Sequence, residues 1–198
     1  YETLAKQALE ETLSMIGEEK SAATLSAALA VREVPSDNAQ RERTAKDQAV
    51  LGNLLGRLNR LEEAEIAFRE AIHLKPDQPM AYFNLGVTLH RLDRYEEAVR
   101  TYRRALRIDQ GNAMIHRNLG MALHRLGRFE EAEAAFRMAL HIKPAFSLAY
   151  YNLGNTLSKL RRHDEAANAY RRAIQVGGPP LRYKRHAEQA LAQAFDES

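Results

Sequence analysis

The dipeptide Leu-Gly returns through this chain at a fixed step: Leu51-Gly52, Leu85-Gly86, Leu119-Gly120 and Leu153-Gly154, each 34 residues after the last. The same step carries Ala64, Ala98, Ala132 and Ala166, then Phe68, Tyr102, Phe136 and Tyr170, then Ala71, Ala105, Ala139 and Ala173. Leu55, Leu89, Leu123 and Leu157 form a further column. Each period is one supersecondary unit that cannot bury its apolar faces alone, so successive units must stack. Inside a period the apolar spacing is helical. Leu85, Leu89 and Leu92 make one stripe, and Ala98, Tyr102, Ala105 and Leu106 a second, with Asp93-Arg94 as the turn between them. Gly and Ala belong where two helices cross closely, and the aromatic column is expected to fill the gap between one unit and the next.

A 34-residue period with Leu-Gly, a later Ala, an aromatic, a second Ala and often a Pro resembles the tetratricopeptide repeat (TPR). Pro76 and Pro144 close the first and third units, while Gln110 and Gly178 stand there in the second and fourth; glycine also ends helices. The resemblance implies an all-α fold, a right-handed α-solenoid of tandem helix–turn–helix units at 45–78, 79–112, 113–146 and 147–180. Residues 181–198 read as a capping helix and tail, with Leu181, Ala187, Ala190, Leu191 and Ala194 on one face after Gly177-Gly178-Pro179-Pro180. Residues 1–44 read as an N-terminal helical segment, either a cap or a degenerate repeat. Leu4, Ala8, Leu9, Leu13 and Ile16 mark one helix there, and Leu25, Ala28 and Leu29 a second. Ser36 or Asp37 is placed to N-cap a longer first helix running towards Gly56.

Composition acts mainly by exclusion. The chain has no cysteine, so disulfides and thiolate metal sites are ruled out. Its longest apolar run, Ala27 to Val31, falls far short of the ~18 residues of a membrane span. A net charge of +3, with basic and acidic residues alternating, argues against nucleic acid as a partner. The acidic pairs Glu62-Glu63, Glu96-Glu97, Glu130-Glu131 and Asp164-Glu165 open each second helix, and Arg69, Arg103, Arg137 and Arg171 lie towards its end, a distribution that complements the helix dipole. Sequence neighbours on a helix do not face each other, so these pairs are not acid/base dyads. The seven histidines include His90 with His124 and His73 with His141, with no carboxylate at the same level to complete a metal site. No phosphate loop, nucleophile elbow or zinc-protease motif is present. The expectation is a non-enzymatic chain with no cofactor, no metal and no catalytic residue. The chain begins at Tyr1 rather than Met, which predicts a trimmed N-terminus with any targeting signal outside it; the lack of cysteine is compatible with the cytoplasm.

In the family, the first helix of each unit lines a concave groove through positions 2, 5, 6, 9, 12 and 13. Carried onto this chain, position 6 holds Val50, Asn84, Asn118 and Asn152, and position 9 holds Asn53, Val87, Met121 and Asn155. Asparagine is a mediocre helix former, and its amide offers both a donor and an acceptor. Recurring amides suit the backbone of an extended peptide, and Asn84, Asn118 and Asn152 resemble the asparagine ladder of the O-linked N-acetylglucosamine transferase array. The competing reading is that Asn-Leu-Gly packs adjacent first helices. Position 13 holds Arg57, Arg91, Arg125 and Lys159, position 12 adds His90 and His124, and position 5 adds Arg117. These favour an acidic partner, although a basic residue near a helix end also complements its dipole. Phe83, Tyr151, Met80, Met114 and Leu148 supply apolar floor. Chaperone-binding members clamp a terminal carboxylate with Lys and Arg. Here Asn53 and Asn84 fit that clamp, but Ala49, Met114 and Asn118 stand where charges belong.

The function expected is a protein–protein interaction scaffold binding an extended peptide or partner segment in this groove. The alternative is the substrate-recognition region of a larger enzyme of glycosyltransferase, sulfotransferase or methyltransferase type, with catalysis outside this chain. Self-association through an end or the convex face is a third arrangement.

Overall fold

The computed structural model describes residues 38–177. The expected N-terminal helical pair, the Ser36 or Asp37 cap and the capping helix at 181–198 lie outside the described residues. Among the described residues there are eight α-helices and no strand: α1 Asn38–Arg57, α2 Leu61–Leu74, α3 Pro79–Arg91, α4 Tyr95–Ile108, α5 Ala113–Arg125, α6 Phe129–Ile142, α7 Ser147–Lys159 and α8 His163–Gln175. The fold is all-α, of the solenoid class built from helix–turn–helix repeats. It forms two compact units divided between Arg94 and Tyr95. In the first, α1 packs on α2, α2 on α3, and α1 also touches α3. In the second, each of α4 to α8 packs on the next, and α5 also touches α7.

Within a hairpin the helices are brought together by glycine. A methyl group on Gly52 would lie 2.7 Å from the ring of Phe68; Gly120 stands in the same relation to Phe136, and Gly154 to Tyr170. Real side chains do not approach that closely, so the aromatic ring occupies the space a Cβ would take. Phe68, Phe136 and Tyr170 therefore pack against the glycine of their own hairpin. Both alanine columns and the leucine column are buried around this contact.

Each first helix ends in the same way. Arg60, Arg94, Arg128 and Arg162 donate their backbone N–H to Leu55, Leu89, Leu123 and Leu157, five residues back. The residue before each arginine, Asn59, Asp93, Gly127 and Arg161, has positive φ and donates to the carbonyl three residues back. This is a Schellman ending. Asn and Asp tolerate the left-handed region and Gly is at ease there, but Arg161 at φ 58° is strained. The arginine that follows then pairs with the third residue of the next helix: Arg60 Nε with Glu63 at 2.6 Å, Arg128 Nε with Glu131 at 2.7 Å, and Arg162 Nε with Glu165 at 2.7 Å. The second acid of each of these three pairs is thus held by a cation at the helix start.

The joint between α5 and α7 is polar. Thr156, fully buried, donates its hydroxyl to the Asn152 carbonyl at 2.9 Å, so its oxygen can only accept from His124 Nδ1 at 3.0 Å. His124 therefore carries its proton on Nδ1, and its ring stands edge-on to Phe129 with centroids 5.2 Å apart. Burial, with Lys159 and Arg125 nearby, holds the imidazole below its ordinary pKa.

Three outcomes are expected. Gly120→Ala should lower stability by about 1–3 kcal/mol, and combined with Phe136→Leu the loss should be smaller than the sum of the two, read from urea midpoints. Arg161→Gly should raise the midpoint, by about 0.5–1 kcal/mol after glycine's own entropic cost; a fall would contradict the strain. Because folding depresses the His124 pKa, its contribution is complete above the unfolded value of about 6.5 and is lost as pH falls through the folded value. Melting temperature should drop across that window more in the native chain than in His124→Gln.

Candidate functional site

The first-helix face of the first unit is built from α1 and α3. Asn53 and Arg57 are exposed on α1, and Asn84, His90 and Arg91 line α3. The two asparagines meet: Asn84 Nδ2 donates to Asn53 Oδ1 at 3.0 Å. Each amide has one further function, and neither is used among the described residues. Asn53 keeps its Nδ2 donors, and Asn84 keeps its Oδ1 acceptor. One turn towards the N-terminus on each helix stand Val50 and Met80, which are 48% and 50% exposed. In the other direction, Arg91 donates NH1 to the Gly56 carbonyl at 2.6 Å and NH2 to Asn59 Oδ1 at 2.9 Å. Arg91 thus ties α3 to the carbonyl end of α1, where a cation is favoured. Among the described residues Arg57 makes no such bond. Along α1, from Val50 to Asn53 to Arg57, the face changes from apolar to amide to guanidinium in steps of one helical turn. Phe83, expected as apolar floor, is buried within the fold.

The corresponding face of the second unit is built from α5 and α7 and is used differently. Asn118 turns its amide back onto its own helix, Nδ2 to the Met114 carbonyl at 2.9 Å. Asn152 Nδ2 is buried with no partner among the described residues. The 34-residue register explains this: Met121 occupies on α5 the position that Asn53 occupies on α1, and a thioether offers little to an amide donor. Asn155 accepts from the Tyr170 hydroxyl at 2.8 Å, and the Tyr170 ring lies 6.0 Å from that of Tyr151. Tyr151 is buried. Arg125 donates to the Tyr95 hydroxyl at 2.7 Å and lies 5.2 Å from its ring centre. Arg117 sits 5.8 Å from the Phe146 ring centre. Lys159 is exposed at the end of α7.

The expected site residues thus sort by use. Arg91, Arg125, His124, Asn118 and Asn155 are engaged by the fold. Asn53, Asn84, Arg57 and Lys159 keep groups directed to solvent. Sequence reading missed Asn59, Tyr95 and Thr156, the residues that occupy Arg91, Arg125 and His124. Thr156 alone carried a signal, through its match with Thr88, which likewise donates to the carbonyl four residues back. Among the described residues there is no cluster of His, Asp and Glu that could hold a metal ion, and no helix long and apolar enough to cross a membrane.

Sequence comparison with curated proteins finds no match. Three family models, each described as tetratricopeptide repeat, match residues 50–113, 89–147 and 147–176. Solved structures of similar fold include YrrB, described as a TPR protein with an unusual peptide-binding site. It is 19% identical with TM-score 0.67, over 91% of this chain and 97% of that one. MamA from Desulfovibrio magneticus RS-1 is 20% identical with TM-score 0.67, over 77% and 89%. The first TPR of Spaghetti (RPAP3), bound to the HSP90 peptide SRMEEVD, is 21% identical with TM-score 0.56, over 60% and 94%. The matched models, taken with the hairpin architecture and its glycine–aromatic contacts, make this chain a member of the tetratricopeptide repeat family.

Proposed function

We propose that the chain is a protein-interaction scaffold that holds an extended peptide segment on its first-helix faces. The Asn53–Asn84 pair carries this reading. Hydrogen-bonded to each other, the two amides leave one donor and one acceptor side by side, the complement of the C=O and N–H that every peptide backbone presents. Such a pair holds main chain without regard to side chains. Val50 and Met80 beside it offer exposed apolar contact, and Arg57, one turn beyond Asn53, favours a carboxylate on the ligand. On the second unit, Lys159 does the same one turn beyond Asn155. Two structures of the same fold are described as peptide-binding or peptide-bound, which supports a peptide as the ligand class.

The carboxylate preference rests on fewer cations than the residue types suggest, because Arg91 and Arg125 are spent within the fold. Selectivity for acidic ligands should therefore be mild, and affinity should come mainly from backbone hydrogen bonds and apolar contact.

Peptides selected from a random library against the native chain should bind Asn53→Ala/Asn84→Ala about thirtyfold more weakly, from two lost hydrogen bonds near 1 kcal/mol each. The loss should be similar for peptides of unlike sequence, with helical circular dichroism unchanged. Full affinity in the double variant would make the pair a packing feature only.

A further inference from the structure

The peptide reading leaves unused the face that α6 and α8 form in the second unit. Arg137 on α6 reaches Glu165 on α8 at 3.3 Å, and Arg162, just ahead of α8, reaches Glu133 on α6 at 2.5 Å, so the two helices lie side by side. Glu130, Ala134, Met138 and His141 follow one another at helical spacing along α6, and Asp164, Asn168, Arg172 and Gln175 along α8. All eight are exposed. Between the helices opens a cleft of about 210 Å³ whose lining includes Leu153, Leu157 and Ala169. A volume of that order admits a side chain of methionine's size. Met138 is 47% exposed beside the cleft and does not line it.

The repeat itself does not require this arrangement. The position of Met138 is held in the other units by Glu70, Arg104 and Arg172, and that of Ala134 by Ile66, Arg100 and Asn168. An exposed thioether next to a small residue is therefore peculiar to α6. Charge on the face is ordered by ends: Glu130 and Asp164 stand at the starts of the two helices, and Arg172 lies towards the end of α8. Glu131, Glu165 and Arg137 are committed to ion pairs within the chain. Among the described residues Glu130, Asp164 and Arg172 are not.

We infer that this face is a dimer interface, on which a second copy of the chain packs antiparallel about a two-fold axis. An isologous contact has to be self-complementary, and this face is. Turned end for end, it sets Glu130 and Asp164 of one copy towards Arg172 of the other. The α6 ridge of each copy then lies over the cleft of the other, with Met138 as the side chain that enters. Ala134 and Asn168, both short, let the two layers approach at the centre. A ligand of one charge sign meets like charge at one end of the face, so an acidic segment or a nucleic acid fits less well than a second copy.

The test is sedimentation equilibrium of the full chain over a concentration series, at low and high salt. The native chain should pass from monomer to dimer, and dissociate more readily as salt rises. Met138→Asp and Arg172→Glu should each weaken the dimer about tenfold, since symmetry makes each substitution act twice, with helical circular dichroism unchanged. Glu130→Arg/Asp164→Arg should weaken it likewise. Mixing that chain with Arg172→Glu should restore association, because the reversed charges then oppose each other across the interface. Asn53→Ala/Asn84→Ala should dimerise as the native chain does. A native chain that stays monomeric up to its solubility limit, growth beyond a dimer, native-like dimers of Met138→Asp or Arg172→Glu, loss of the dimer in the asparagine variant, or no recovery on mixing would each overturn the inference.

Discussion

The approach of a helical glycine to an aromatic ring sets the geometry on which the rest of the structure depends. With an imagined Cβ of Gly52, Gly120 or Gly154 falling 2.7 Å from the ring of Phe68, Phe136 or Tyr170, the two helices of these hairpins stand closer than ordinary side chains permit. The closeness dictates the neighbouring columns. Ala64, Ala132 and Ala71 are buried where any larger residue would push the helices apart, and the leucine column fills the space that remains. Once the inward faces are committed in this way, the outward face of each first helix is free to vary, and it is there that the asparagines lie.

A second layer of order is polar, and it consumes much of the charge that a functional reading would claim. Schellman endings place an arginine at the start of each second helix, and three of these pair with a glutamate one turn on. Arg162 also reaches Glu133 of the preceding hairpin at 2.5 Å, and Arg94 reaches Glu65 at 2.5 Å. The exposed pairs contribute roughly 0–1 kcal/mol each, so they fix register more than they add stability, while Glu65 and Glu133 are largely covered and screened less. Arg91 and Arg125 are spent in the same spirit, on a helix end and on a tyrosine. The cations left for a partner on the first-helix faces are consequently few.

The fold was legible because its determinants repeat. Leu-Gly, both alanine columns and the aromatic column each appear four times in register, and Phe68, Phe136 and Tyr170 also fill the space over the glycine of their own hairpin. The candidate site was legible only in part. The residue types on the first-helix faces can be read from the repeat register, but whether two amides meet depends on pairing position 9 of one unit with position 6 of the next. That pairing joins Asn53 to Asn84, whereas Met121 leaves Asn152 without a partner. Three asparagines that look equivalent in sequence therefore have three different fates. Phe83 and Tyr151 could not be distinguished from exposed groove residues, because aromatic character serves a core and a binding surface equally well.

The central claim is that Asn53 and Asn84 act together on a peptide backbone. Their side-chain amide resonances in the isotope-labelled chain, followed by NMR as a library-selected peptide is added, test it most directly. The account predicts that both pairs of resonances move and saturate together, at the affinity measured for binding. Saturated binding with both sets of amide resonances unmoved would contradict it.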